Sequence, residues 1–216
     1  MRIAFHKELE SLDQAIVQLG ALVEKSTRMA TTALIEGDVA MAERVQAGDD
    51  EIDALFLDIE KRALALLAQQ APVAGDLRLI VAILRVVNDL ERAGDLAYNI
   101  AKLAKSQEFR DPQLKPVRAL VSELGQAAGQ LLSAALDAWA TKDEKLAADI
   151  DIQDDRLDDL HARLIEELVE LKGQDSLAIA IRLAMIGRYF ERIGDHAVNI
   201  SERIRYFITG DEELLG

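Results

Sequence analysis

LERAGDLAYNI at Leu90–Ile100 and FERIGDHAVNI at Phe190–Ile200 share Glu, Arg, Gly, Asp, Ala, Asn and Ile at matching places, 100 residues apart. A second pair, DDEID at Asp49–Asp53 and DDRLD at Asp154–Asp158, matches at an offset of 105. The chain is an internal repeat, and repeats of this kind are supersecondary units that bury a shared face against a neighbour. The punctuation divides both copies alike. Gly37-Asp38 and Lys142-Asp143 open the second segment of each half, and Gln70-Ala71-Pro72 and Gly173-Gln174 close it. SQEFRDPQLKP (Ser106–Pro116) holds two of the chain's three prolines and is the linker between the halves.

Between these breaks apolar residues recur at helical spacing. Ile80, Ile83, Val87, Leu90, Gly94, Ala97 and Ala101 form one such seam, and no stretch alternates with a period of two for long enough to argue for a strand. The pattern predicts helices over 2–36, 38–69, 73–105, 113–140, 143–172 and 175–208. Three helices per repeat joined by short turns are antiparallel neighbours. The expected fold is all-α: two tandem, repeat-related three-helix bundles, residues 1–105 and 117–216, with 106–116 between them.

Composition narrows the function. A net charge of −14 argues against nucleic acid and anionic lipid as partners, because both need a basic surface, and it suits cations. The absence of cysteine removes disulfides, thiolate metal sites and a Cys nucleophile together. The most apolar run, LIVAILRVV (Leu79–Val87), already contains Arg85, and the N-terminus MRIAFHKELE turns charged too early for a secretory signal. The expectation is a soluble cytoplasmic protein with no segment inserted in a membrane.

The repeated phrase carries the chemistry. With Val87 as the centre of its seam and about 100° per residue, Glu91 lies roughly 40°, Asp95 roughly 80° and Asn99 roughly 120° off centre. This ladder of oxygen ligands is half in the bundle, and Glu191, Asp195 and Asn199 repeat it. The neighbouring helix follows from counting. Asp49 and Asp53 lie as far before the turn near Ala71 as Glu91 and Asp95 lie after it, to within a few residues. Asp154 and Asp158 stand in the same relation to Glu191 and Asp195 across the turn near Gly173. Antiparallel helices bring such positions to one level, so two D/E-x-x-x-D pairs converge in each half. Four carboxylates at close quarters need protons, arginines or cations to neutralise them, and an all-oxygen site for a hard cation is one resolution. The other is ordinary helix packing, with Arg92 and Arg192 forming ion pairs. Gly94 and Gly194, unfavourable inside a helix by about 1 kcal/mol against Ala, allow a neighbouring helix to come close.

At these residues the sequence resembles the PhoU family of phosphate-signalling regulators. PVAGDLRLIVAILRVVNDLERAGDLAYNI (Pro72–Ile100) is similar to the family's P-x-A-x-D-L-R…D-L-E-R-x-G-D-x-A-x-N-I run, and FERIGDHAVNISERIRYFITG (Phe190–Gly210) to its C-terminal end. The resemblance covers essentially the whole chain. It implies two three-helix bundles carrying metal clusters, with ligands Asp49, Asp53, Glu91 and Asp95 in the first half and Asp154, Asp158, Glu191 and Asp195 in the second. The metal would be divalent or trivalent, of one or several ions, with Fe, Zn, Mn and Mg all compatible with such ligands. The resemblance further implies a non-enzymatic, commonly dimeric adaptor. It would couple the ATPase subunit of a phosphate ABC transporter to a sensor histidine kinase and repress the phosphate-starvation response. The second half has GQDSLAIAIR (Gly173–Arg182) in place of the P-x-A-x-D-L-R segment, which leaves room for the two sites to differ in occupancy.

Asp76 and Arg78 are read either as local capping residues or, from the resemblance, as partner-binding ones. His196 is a candidate extra ligand in the second half, although its bearing of about 180° from the seam points it to solvent. His161 shares a helix face with Asp158, but Phe56 is its counterpart in the first half, which argues against a shared role. His6 stands alone, and Trp139 belongs to an apolar face. The rival readings are a carboxylate-bridged di-metal enzyme and a metal-free helical adaptor. The first is disfavoured by the lack of any Glu-x-x-His, the spacing such enzymes take from two of their helices.

Overall fold

Six long helices make up the fold: α1 (Arg2–Glu36), α2 (Val39–Gln70), α3 (Ala74–Leu103), α4 (Lys115–Thr141), α5 (Glu144–Val169) and α6 (Ser176–Thr209). The computed structural model describes residues 2–70, 72–104, 111–173 and 175–215, and among these there is no strand. The expected helices match to within about three residues. α5 stops at Val169 rather than 172 and is followed by Gly173 at φ 133. Within the expected linker, Pro112–Leu114 form a 3-10 turn whose N-cap Asp111 accepts from the Gln113 N–H at 2.9 Å. α4 then starts at Lys115, with Pro116 in its first turn, where a missing N–H costs nothing. Residues 106–110 of that linker, and the break residues Ala71 and Gln174, lie outside the described residues.

The Gly37-Asp38 and Lys142-Asp143 phrases build the same turn. Gly37 and Lys142 are left-handed, at φ 63 and 54. The following aspartate caps the next helix: Asp38 accepts from the Met41 N–H at 2.9 Å, and Asp143 from those of Lys145 at 2.9 Å and Leu146 at 3.2 Å. A lysine is held in the left-handed region by its far end. The Lys142 Nζ lies 2.7 Å from the Asp13 carboxylate of α1 and 4.1 Å from the Trp139 ring centroid.

Within each half the three helices pack against one another, and the halves join through α3 on α6 and α1 on α4. Both of these main contacts between the halves pair an element with its own repeat counterpart. Leu12, Ile16, Ile52, Ile83, Leu90, Trp139 and Phe190 are completely buried, each worth on the order of 1.5–3 kcal/mol in removed apolar surface. All seven seam residues from Ile80 to Ala101 are buried. α3 and α6 are also covered on the side away from that seam, because each has the other half behind it: Leu96 and His196 are both buried. This corrects the solvent-facing placement expected of His196. A single-bundle wheel gives each helix one buried stripe, and the central helices of two joined bundles have two.

Candidate metal centres

The carboxylate quartets lie on the flanks of the two bundles, where α2 meets α3 and α5 meets α6. Close approach at these places depends on glycine. A methyl group built at Gly94 would stand 3.3 Å from Ile52 Cγ2 of α2. One built at Gly194 would run into Leu157 of α5 and stand 2.9 Å from Asp154 Oδ1. Asp154 is thus held directly over the Gly194 backbone, one residue before Asp195.

In the first half the acids of α2 act on those of α3. Burial raises Asp49 from 3.8 to about 6, with Asp53, Asp95 and Asp50 adding to it. Glu91 is raised by burial and then by Asp95, Asp53 and Asp49, while Arg92 opposes. Asp95 is raised by burial and by Asp53. The level-matching expected from residue counts is therefore present: acids four residues apart on α2 and on α3 share one field. In the second half burial raises Asp154 to about 6, followed by Asp158, Asp195, Asp155 and Asp151.

The second half carries charges that the first lacks. Arg188 pairs with Glu191 through Nη1 and stands 4.0 Å from the Asp195 carboxylate through Nη2. His161 of α5 is half-buried beside the same group; burial and then Arg188 hold its pKa down, against Asp158. At the matching places the first half has Asn88, whose amide turns back onto the Leu84 carbonyl at 2.6 Å, and Phe56. Periodicity gave Arg188 no role because it lies on neither buried stripe; the offset of 100 that aligns it with Asn88 was the available signal.

The donor sets fit a hard cation in chemistry, being carboxylate oxygen throughout, and a guanidinium already stands beside one of them as an organic cation. The side chains themselves are not gathered: among the described residues no three of His, Asp and Glu stand in a metal-holding group.

Two of the candidate extra ligands belong elsewhere. His196 Nδ1 lies 2.9 Å from Asp89 Oδ1, and the Asn199 amide donates to the same oxygen at 3.1 Å. These contacts tie α6 to α3 across the junction of the halves. Asn99 is half-buried. Asp89 was missed by the sequence reading, since at about 200° from the seam centre an acid reads as solvent-facing. Arg78 also has an internal partner. Its Nε donates to the Phe207 carbonyl at 3.3 Å, and its guanidinium lies against Gly210, so it closes the C-terminal end of α6. Asp76 sits in the first turn of α3, where a negative charge is favourable.

Comparison with known proteins agrees with this architecture. A profile of the PhoU domain matches twice, at residues 16–104 and 121–204. The chain is 34% identical over 210 residues to the phosphate-specific transport system accessory protein PhoU homolog 2 of Mycobacterium tuberculosis, spanning 97% of this chain and 99% of that one. It is 36% identical to the PhoU homolog of Pseudomonas putida, spanning 96% and 82%. The crystal structure of PhoU from Pseudomonas aeruginosa superposes with a TM-score of 0.90 at 33% identity, over 96% of this chain and all of that one. That of the phosphate transport system regulatory protein PhoU from Streptococcus pneumoniae gives 0.83 at 30%. Two matched domains, full-length relatives and a shared six-helix architecture place the chain in the PhoU family.

Proposed function

We propose that this chain is a regulatory accessory of a phosphate transport system, working in the cytoplasm as a metal-loaded homodimeric adaptor. It contacts the ATPase subunit of the phosphate ABC transporter and a sensor histidine kinase, and holds the phosphate-starvation response off. The transport role is supported by full-length relatives that carry that name. Among the described residues no helix is long and apolar enough to cross a membrane, which suits an accessory that meets the transporter at its surface.

The observation that carries the metal reading is the mutual field of Asp49, Asp53, Glu91 and Asp95, repeated by Asp154, Asp158 and Asp195. Acids pushed towards neutrality by burial and then by one another are stabilised by a cation among them, and a bound cation would supply charge neutralisation and a crosslink between paired helices. Asp49 and Asp53 would hold it from α2, Glu91 and Asp95 from α3. The test is elemental analysis of untagged chain purified without chelator, repeated for the Glu91→Ala, Glu191→Ala double variant, beside a phosphate-responsive reporter. Stoichiometric metal lost in the variant, together with lost repression, is the expected result. Unchanged metal and unchanged repression would remove the assignment. A metal-free adaptor is the second reading, favoured by the Arg188–Glu191 pair; it predicts a folded, repressing protein without metal.

A further inference from the structure

Among the charges that distinguish the second carboxylate site from the first, Arg188 forms ion pairs with its acids. Residues 88 and 188 are repeat counterparts, one turn before Glu91 and Glu191 on helices that run the same course. Asn88 spends its amide on its own helix, on the Leu84 carbonyl at 2.6 Å, and brings no charge to its quartet. Arg188 places Nη1 on Glu191 and Nη2 at 4.0 Å from Asp195, so one guanidinium addresses both acids that α6 contributes. The Glu191 side chain is only 15% exposed, so water screens this pair less than a surface one, whereas Arg188 is 52% exposed and has room to swing away. Arg92 opposes the rise at Glu91 through its field and recurs in sequence as Arg192, whereas the Arg188 ion pair has Asn88 in its place in the first half.

From this we infer that Arg188 is a built-in counter-cation that makes the sites unequal. The Asp49/Asp53/Glu91/Asp95 site takes a divalent cation first. The Asp154/Asp158/Glu191/Asp195 site takes one only by displacing the guanidinium. The inference rests on the metal reading given above and adds an order of loading to it. In either state a cation offsets part of the second site's charge, arginine in one and metal in the other, so that site exchanges between them as cation concentration changes. The first site holds no counterpart of the Arg188 ion pair, Asn88 standing in its place, and stays loaded over a wider range.

The experiment is a titration of the chelator-stripped full chain with Mn2+, followed by calorimetry and by the electron paramagnetic resonance signal of free Mn2+. It uses wild type, Arg188→Asn, Asn88→Arg, and two site-deleting variants, Glu91→Ala/Asp95→Ala and Glu191→Ala/Asp195→Ala. Wild type should show two classes of site, the weaker one absent from Glu191→Ala/Asp195→Ala. Arg188→Asn should tighten the weaker class by about tenfold, the scale of one charge-assisted contact in a half-exposed setting. Asn88→Arg should weaken the tighter class. Equal affinities in wild type, or an Arg188→Asn protein whose two classes are unmoved, would overturn the inference while leaving metal binding intact. No Mn2+ bound by wild type or by any variant would instead remove the metal reading, and this inference with it. A metal-independent measurement tests the pair itself: in chelator, Arg188→Asn should lower the Tm, and an unchanged Tm would mean that Arg188 does not compensate the quartet.

Discussion

Asp89 of α3 accepts from two residues of the other half at once, with its Oδ1 2.9 Å from His196 Nδ1 and 3.1 Å from the Asn199 amide. Asp89 is 8% exposed and His196 5%, so a buried polar cluster fastens the junction between the two bundles. Such a cluster adds little net attraction. It is costly to leave half made, and so it fixes how α3 and α6 register on one another.

Asp89→Ala strands the imidazole and the amide together, and should cost about 1–3 kcal/mol of stability in urea denaturation. Metal content should be unchanged, because Asp89 stands about 160° round α3 from Glu91 and is engaged by His196 and Asn199. Lost metal with intact stability would return His196 and Asn199 to the site.

Stability of the metal-free chain should fall as pH rises from about 4 to about 6. Asp49 and Asp154 sit near 6 in the folded chain against an ordinary 3.8, and Glu91 and Asp95 shift the same way. The folded state then holds more protons than the unfolded one across that window. Its advantage is complete below about 4 and is gone above the folded values. With screening at these half-exposed positions the loss is about 1 kcal/mol for each of the two aspartates. Thermal melts in chelator at low salt should show the slope, and the Asp49→Asn/Asp154→Asn variant should flatten it. A variant that keeps the full slope would place its origin elsewhere.

Gly94→Ala and Gly194→Ala should part company. Both gain about 1 kcal/mol in helix propensity. At Gly94 the new methyl meets Ile52 at 3.3 Å, which a small shift accommodates, so the net change should stay within about 1 kcal/mol. At Gly194 it collides with the buried Leu157 and crowds Asp154, and the net cost should be about 1–3 kcal/mol, with weakened cation binding in the second half. Equal melting temperatures for the two variants would contradict the different spacing of α2–α3 and α5–α6.

Lys142→Ala should destabilise more than Lys142→Gly. Both lose the Asp13 pair and the stacking over Trp139, but only alanine must still adopt φ near 54. The left-handed region costs an L-residue about 1 kcal/mol relative to glycine, and that is the difference expected between the two variants in denaturant titrations. A difference of zero would mean that the turn relaxes.

What the sequence determined by itself was everything local or periodic. The six helices, their breaks at Gly37-Asp38 and Lys142-Asp143, the buried seam from Ile80 to Ala101 and the level of each D/E-x-x-x-D pair all follow from a fixed rise of about 1.5 Å per residue and from the spacing of apolar side chains. The level at which the acids of paired helices sit was legible because antiparallel helices with one short turn leave a single register free. Tertiary structure decided what lies behind each central helix. Placing α3 on α6 gave both helices a second buried side, and this put His196, Asn199 and Asp89 in the junction between the halves instead of in solvent or around a cation. It also set Arg188 on Glu191 and turned Arg78 onto the end of α6. A wheel drawn on one helix reports directions relative to its own seam. Which directions are buried, and which charge meets which, is set by the surfaces of other helices that long-range packing brings there.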